Sequence, residues 1–364
     1  MIVNHAAPYF SGSYAEARAK FREAATAAGA ALDCFVLPAH RGALDEQLST
    51  DIAYIGGGTP ERLLIVSSGT HGPEGFAGSA VQAATLNDDD LLGRARTGEV
   101  GLLLIHAVNP YGFSHLRRVN EDNIDVNRNF VDFDKPLLVN AAYQDIESFL
   151  LPGNWPPAAA DDAALAEYVA SHGLRAYQAA VGAGQYATPD GLFFGGQSPS
   201  WSNRTIRAIL KKYATPARWI GWVDLHTGLG PRGHGEKIYP GRKAPAEVAR
   251  AKAWWGADVL VLSDDQSIST ETSGPVVFSL YDACPDAEIT LLGLEFGILE
   301  FQDTLNRLRA DQWLYRHPQA QPELRAQIRR QLREAFYCDA EDWKGMVLAQ
   351  ARVVLLQALL GLQI

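Results

Sequence analysis

Arg62-Leu63-Leu64-Ile65-Val66-Ser67-Ser68-Gly69-Thr70-His71-Gly72-Pro73-Glu74-Gly75 decides how the rest of the chain is read. Its first half is a continuous apolar run, the pattern of a strand buried on both faces of a sheet. Its second half is polar and rich in turn-formers, and a helix-like stretch over 75–85 follows. The succession recurs. Leu102-Leu103-Leu104-Ile105-His106-Ala107-Val108, Trp219-Ile220-Gly221-Trp222-Val223-Asp224-Leu225 and Ile289-Thr290-Leu291-Leu292-Gly293-Leu294 are further apolar runs. Helix-like stretches over 163–181, 202–213 and 246–255 lie between them. Strands alternating with helices imply an α/β chain, its sheet largely parallel and covered by helices on both faces.

Working outward, residues 14–28 read as a helix rich in Ala, Glu, Arg and Lys, with Phe21 as an apolar anchor, Ser11-Gly12-Ser13 before it and Gly29 after. The tail over 322–360 reads as two helices broken near Cys338-Asp339. Leu151-Pro152-Gly153-Asn154-Trp155-Pro156-Pro157 reads as part of an insertion, around 132–200, rather than a domain boundary. The expectation is a single domain over 1–364.

Composition narrows the function. With 364 residues, 47% of them hydrophobic and 20% charged, the chain has an ordinary globular make-up. A formal net charge of -10 argues against a nucleic-acid partner, which requires a basic face. Cys34, Cys284 and Cys338 are odd in number, far apart and free of CxxC spacing, which suits buried thiols in a reducing compartment. Met1-Ile2-Val3-Asn4-His5 lacks the basic start and apolar run of a signal peptide. No stretch approaches about 18 uninterrupted apolar residues, so no membrane span and a cytoplasmic location are expected.

Ligands of open α/β sheets bind at the carboxyl ends of strands, so polar residues there are the ones to inspect. After the first run, His71 and Glu74 stand three apart on a turn of Gly and Pro. Alone, that spacing is more often a polar loop in which Glu74 opens the next helix. After the third run comes Asp224-Leu225-His226-Thr227-Gly228, where His226 can complete a two-His, one-carboxylate metal site. Asp224 is a candidate acceptor for that imidazole's other nitrogen. After the fourth run, Glu295 lies between apolar neighbours, where a carboxylate is costly unless partnered and can serve as a general base. The segment from Asn109-Pro110-Tyr111-Gly112 through Arg117-Arg118 to Asp125-Val126-Asn127-Arg128-Asn129-Phe130 supplies guanidinium groups suited to binding carboxylates. GxSxG is absent, which removes α/β-hydrolase serine chemistry. Gly56-Gly57-Gly58-Thr59 precedes a strand instead of following one, which speaks against a dinucleotide site.

Taken in order, His71-Gly72-Pro73-Glu74, Asn109-Pro110-Tyr111-Gly112, Asp125-Val126-Asn127-Arg128-Asn129-Phe130, Asp224-Leu225-His226-Thr227 and Gly293-Leu294-Glu295 resemble the zinc carboxypeptidase superfamily. That superfamily also contains succinylglutamate desuccinylase and aspartoacylase. Within it the chain most resembles a bacterial branch catalogued as a domain of unknown function, over residues 60–300. The resemblance implies a three-layer α/β/α sandwich on a mixed, roughly eight-stranded sheet. It implies one zinc ion per chain held by His71, Glu74 and His226, and a substrate carboxylate held by Asn127 and Arg128. Arg118, or its neighbour Arg117, would polarise the scissile carbonyl. Glu295 would activate the attacking water and pass the proton to the leaving amine. The implied activity is hydrolysis of an amide next to a free carboxylate in a small peptide. Deacylation of N-acyl amino acids is the alternative, and a non-catalytic metal-binding relative a third. Peptidases of the superfamily carry a mobile tyrosine some twenty residues before the general base. Ser269-Thr270-Glu271-Thr272-Ser273-Gly274-Pro275 has none, Tyr281 being nearest, which leaves room for an acylated amino acid.

Overall fold

The computed structural model describes residues 6–58, 60–97, 100–262 and 271–364. Met1 to His5, Thr59 and the Ser269-Thr270 end of the tyrosine-free loop lie outside the described residues. Eight strands form one sheet among the described residues: β1 (Ala31–Arg41), β2 (Gln47–Ile55), β3 (Arg62–Ser68), β4 (Gly101–His106), β5 (Trp219–Leu229), β6 (Gly235–Tyr239), β7 (Leu260–Val261) and β8 (Glu288–Leu299). Their order is β1-β2-β4-β3-β5-β8-β6-β7. The central β4-β3-β5-β8 block is parallel, as its unbroken apolar runs require. The sheet becomes mixed at its flanks, where β1, β2 and β6 pair antiparallel.

The helices are α1 (Tyr14–Ala27), α2 (Gly75–Thr85), α3 (Asp89–Arg96), α4 (Pro110–His115), α5 (Ala141–Leu150), α6 (Ala159–His172), α7 (Leu174–Gly182), α8 (Trp201–Tyr213), α9 (Pro245–Trp255), α10 (Ser279–Ala283), α11 (Phe301–Arg316), α12 (Pro322–Phe336) and α13 (Glu341–Gln363). The result is the expected α/β/α sandwich. Residues 163–181, read as one helix, fall on two, because Gly173 at φ +86° breaks the run between α6 and α7. On one face, Gly221 of β5 lies against Leu64, Trp254 of α9 and Leu362 of α13, and Gly78 of α2 against Ser68 and Leu225. α8 buries Ile206, Ile209 and Leu210 in the same core cluster. α13 is long and apolar enough to cross a membrane, a property the sequence reading passed over because charges interrupt it. Half of that stretch is buried, with α13 packed on β3, β5, α2 and α9 as a core helix.

Two features of the sheet prepare the site. β3 ends at Ser68, opposite Leu225, while β5 runs on to Leu229 against β8 alone. From His226 onward β5 has therefore lost its neighbour on one side, and a crevice opens there. In the same register His226 stands opposite Glu295. The sequence reading placed both residues at strand ends. They are instead inside strands, because β5 and β8 support each other past the end of β3 and β6 continues beside β8. The second feature is the segment over 132–200, whose helices α5 and α7 pack on α11 and α12. Tyr143, Ile146, Leu150, Tyr177 and Val181 share a buried cluster with Leu305, Leu308, Leu332 and Phe336.

At the end of β4, His106 is completely buried, with its ring stacked 4.7 Å from Phe21 and its Nε2 3.0 Å from Ser79 Oγ. Burial pushes its pKa down to about 4, against a partial opposing pull from Asp51. The ring stays neutral in the fold and takes a proton near pH 6.5 once unfolded. Its contribution is thus full above pH ~6.5 and is lost as pH falls through 4, an effect of about 3 kcal/mol. Denaturant unfolding of His106→Gln, compared with the parent between pH 7 and 4, is expected to show a shallower loss of stability by about that amount. Parallel curves for the two proteins would remove His106 as the cause.

Candidate metal centre

The polar turn after β3 is shaped by close backbone approach. A side chain on Gly72 would lie 2.0 Å from the Gly112 carbonyl carbon, so only glycine fits. Gly72–Glu74 then form a turn of 3-10 helix with Pro73 at its start. At about three residues per turn, positions i and i+3 eclipse, which brings Glu74 back over His71. His71 Nδ1 is 2.8 Å from Glu74 Oε1. Across the crevice, His226 Nδ1 is 2.7 Å from Glu74 Oε2. The candidate ligand atoms of His71, Glu74 and His226 all lie within 4.8 Å of one another.

Each imidazole is held from behind. His226 Nε2 is 2.7 Å from Asp224 Oδ2, the partner anticipated from sequence. Asp224 is fixed in turn by Ser67 Oγ at 2.5 Å and Thr70 Oγ1 at 3.0 Å, both donating. His71 Nε2 is 3.2 Å from Asp125 Oδ1. Both Nδ1 atoms therefore face Glu74 while both Nε2 atoms face a buried carboxylate, the arrangement that fixes tautomer and ring orientation in metal-ligating histidines. Burial works to raise the Glu74 carboxyl, but the two imidazoles overcome it and hold the group down at about 2. Burial opposes the charge on His226, yet Asp224 and then Glu74 hold its pKa well above the ordinary histidine value. Glu74, Asp125 and Asp224 are each at most 2% exposed. So much buried negative charge around two imidazoles fits a cation, and the donor set of two nitrogens and a carboxylate fits a divalent metal ion.

The other anticipated residues separate. Arg118 lines the cleft, its Nε donating to Asp125 Oδ2 at 3.0 Å and its guanidinium 5.1 Å from the Phe193 ring centre. Arg117 does not belong there. Its Nε reaches Asp311 Oδ2 at 3.2 Å, its Nη2 reaches Asn123 Oδ1 at 2.8 Å, and Tyr315 covers it. Asp311 also pairs with Arg329 of α12. Adjacent residues of an irregular segment point to opposite sides, and the double Arg hid which one faces inward. Asn127 and Arg128 both line the cleft. Asn127 Oδ1 accepts from Val276 N at 2.9 Å. Arg128 is 4% exposed and donates to the carbonyls of Gly182 (3.1 and 2.6 Å) and Asn127 (2.9 Å). No carboxylate pairs directly with it among the described residues. Glu295 lines the same cleft and accepts from Leu229 N at 3.1 Å. Tyr281 is remote, its hydroxyl donating to Glu247 at 2.7 Å under the Arg242 guanidinium.

Sequence reasoning gave Asp125 no role, although it touches both His71 and Arg118. The signal available was its place two residues before Asn127 in a segment already singled out. Phe193, which lies beneath Arg118 and Arg128, had no signal at all, because only the packing of the 132–200 segment brings it to the cleft.

Fold and site together define a mixed-sheet α/β/α protein with a His–Glu–His group, at the crevice of its sheet, that could hold a metal ion. Residues 10–350 match the family described as "Protein of unknown function (DUF2817)", and the chain belongs to that family. No curated protein matches it. Similar solved structures include carboxypeptidase A from Helicoverpa armigera, at 14% identity over 90% of this chain and 74% of that one, with a TM-score of 0.44. A succinylglutamate desuccinylase from Silicibacter sp. TM1040 matches at 11% identity over 84% of this chain and 65% of that one, with a TM-score of 0.39. Murein-tripeptide amidase from Escherichia coli O157 matches at 14% identity over 85% of this chain and 93% of that one, with a TM-score of 0.36.

Proposed function

We propose that this protein is a zinc-dependent hydrolase that cleaves an amide bond next to a free carboxylate. The observation that carries the reading is the pair of imidazoles turned toward Glu74, each backed by its own carboxylate, with Arg118 and Glu295 on the same cleft. Zinc is the ion that suits two imidazoles, one carboxylate and a free position. Held by His71, Glu74 and His226, it would supply a Lewis acid for the amide carbonyl and lower the pKa of water. Arg128, buried and with no carboxylate in direct contact among the described residues, receives the substrate carboxylate with Asn127 beside it. Arg118, held by Asp125, donates to the oxygen of the carbonyl as negative charge grows there. Glu295 takes a proton from the attacking water and returns it to the leaving nitrogen, so that one water is consumed and an acid and an amine depart.

An N-acyl amino acid is the second reading of the substrate, and the cleft wall that Gln178, Gly182 and Phe193 of the 132–200 segment supply favours a small one. The test is metal analysis followed by turnover of dipeptides and N-acyl amino acids with and without a chelator. The expected result is about one zinc per chain, hydrolysis that stops on chelation and returns with zinc, and loss of activity when the substrate carboxylate is amidated. A protein that cannot be loaded with metal, or that ignores the amidation, would sink the reading.

A further inference from the structure

α11 and the end of α12 supply a side of the cleft made of a different material from the polar residues around His71, Glu74 and His226. Phe301, Leu305 and Leu308 face the cleft from α11 and Phe336 from the end of α12. They belong to one packed apolar cluster, so the wall is preformed. It reaches the reacting groups: Phe336 carries the wall to Gly228, whose Cβ position is 2.9 Å from the Phe336 ring and 3.7 Å from Glu295 Oε1. Thr227 Oγ1 donates to Phe336 O at 2.5 Å and fixes that junction to β5. Thr304 interrupts the wall with a hydroxyl that is buried without a hydrogen-bond partner, on a residue 4% exposed.

The charges of the cleft are spoken for. Among the described lining residues its guanidinium groups are those of Arg118 and Arg128. Arg118 is held by Asp125, and Arg128 is the receiver of the substrate carboxylate. A second carboxylate on the acyl side would meet Glu295, Phe336 and the leucines of α11 with no further guanidinium or ammonium group among the described lining residues to receive it, and burying such a charge unpaired is costly.

We infer that the α11 wall is the acyl-group site and that it selects neutral, apolar acyl groups over dicarboxylic ones. The inference rests on the amidohydrolase reading above and names its substrate class: amino acids acylated by an alkyl or aryl chain, not by succinate or aspartate. Each methylene buried against the wall is worth up to about fourfold in affinity. Thr304 offers the chain one hydrogen bond, to an atom such as a hydroxyl on the acyl group.

The experiment is calorimetric binding of N-acetyl-, N-octanoyl- and N-succinyl-leucine to the zinc-loaded Glu295→Gln protein, alongside turnover of the three by the parent. The octanoyl compound is expected to bind at least about tenfold more tightly than the acetyl one, and the succinyl compound more weakly than either. Leu308→Lys is expected to reverse the order of octanoyl and succinyl. The three-ligand series on the parent side chains decides the matter even if that variant fails to fold. Equal affinities, a preference for succinyl, or no binding of any member overturns the inference. Selective binding without turnover in the parent would leave the acyl site standing and overturn the hydrolase reading instead.

Discussion

Glu295→Gln is expected to lower kcat by about 10³-fold, within the range general acid–base groups contribute, while the zinc content stays that of the parent. Glu295 stands opposite His226 in the β5–β8 register, beside the His71, Glu74 and His226 group without belonging to it. Burial first and the charge of Glu74 second push its carboxyl up to about 8, close to neutrality, where one group can both accept and return a proton. Gln keeps the size and the acceptor for Leu229 N but cannot take a proton. The measurements are steady-state turnover and elemental analysis on the same preparation. A Gln variant with near-parental kcat removes Glu295 from the mechanism.

The second large effect is expected at a residue with no direct part in the chemistry. Asp125 is fully buried, with one oxygen on His71 and the other on Arg118. Its carboxyl is held well below the ordinary range: burial opposes ionisation, but Arg118, then His71, then Arg128 overcome it. Asp125→Ala should weaken zinc binding about 10- to 100-fold, as loss of a histidine's supporting carboxylate does. It should also destabilise the fold by about 3 kcal/mol, because the Arg118 charge is left with only its longer, 3.7 Å approach to Glu74 Oε1. Competitive zinc titration and denaturant unfolding read the two effects separately. Parental zinc affinity in Asp125→Ala would show that His71 needs no such support.

How much of this could be read in advance differs from element to element. Unbroken apolar runs announce β3, β4, β5 and β8, because strands buried on both faces leave no room for polar residues. β1 left no such mark: it is an edge strand, exposed over most of its length, and its composition mixes polar and apolar residues. His71, Glu74, His226 and Glu295 were legible because each follows an apolar run closely in sequence. Asp125 and Phe193 sit in irregular chain, and nothing local says that one reaches under a histidine or that the other lies beneath two arginines. Arg117 and Arg118 are equivalent on paper and are told apart by their partners, among them Asp311 for Arg117, almost two hundred residues further on.

That last pairing ties distant parts of the molecule together. Arg117 is riveted to α11 through Asp311, and Asp311 to α12 through Arg329, while the very next residue presents its guanidinium to the crevice. One peptide unit thus separates the residue tied to the helices that wall the cleft from the guanidinium that lines it. A ligand that pushed those helices outward would drag on the same backbone that aims Arg118. Two consecutive arginines join the packing of α11 and α12 to the lining of the cleft.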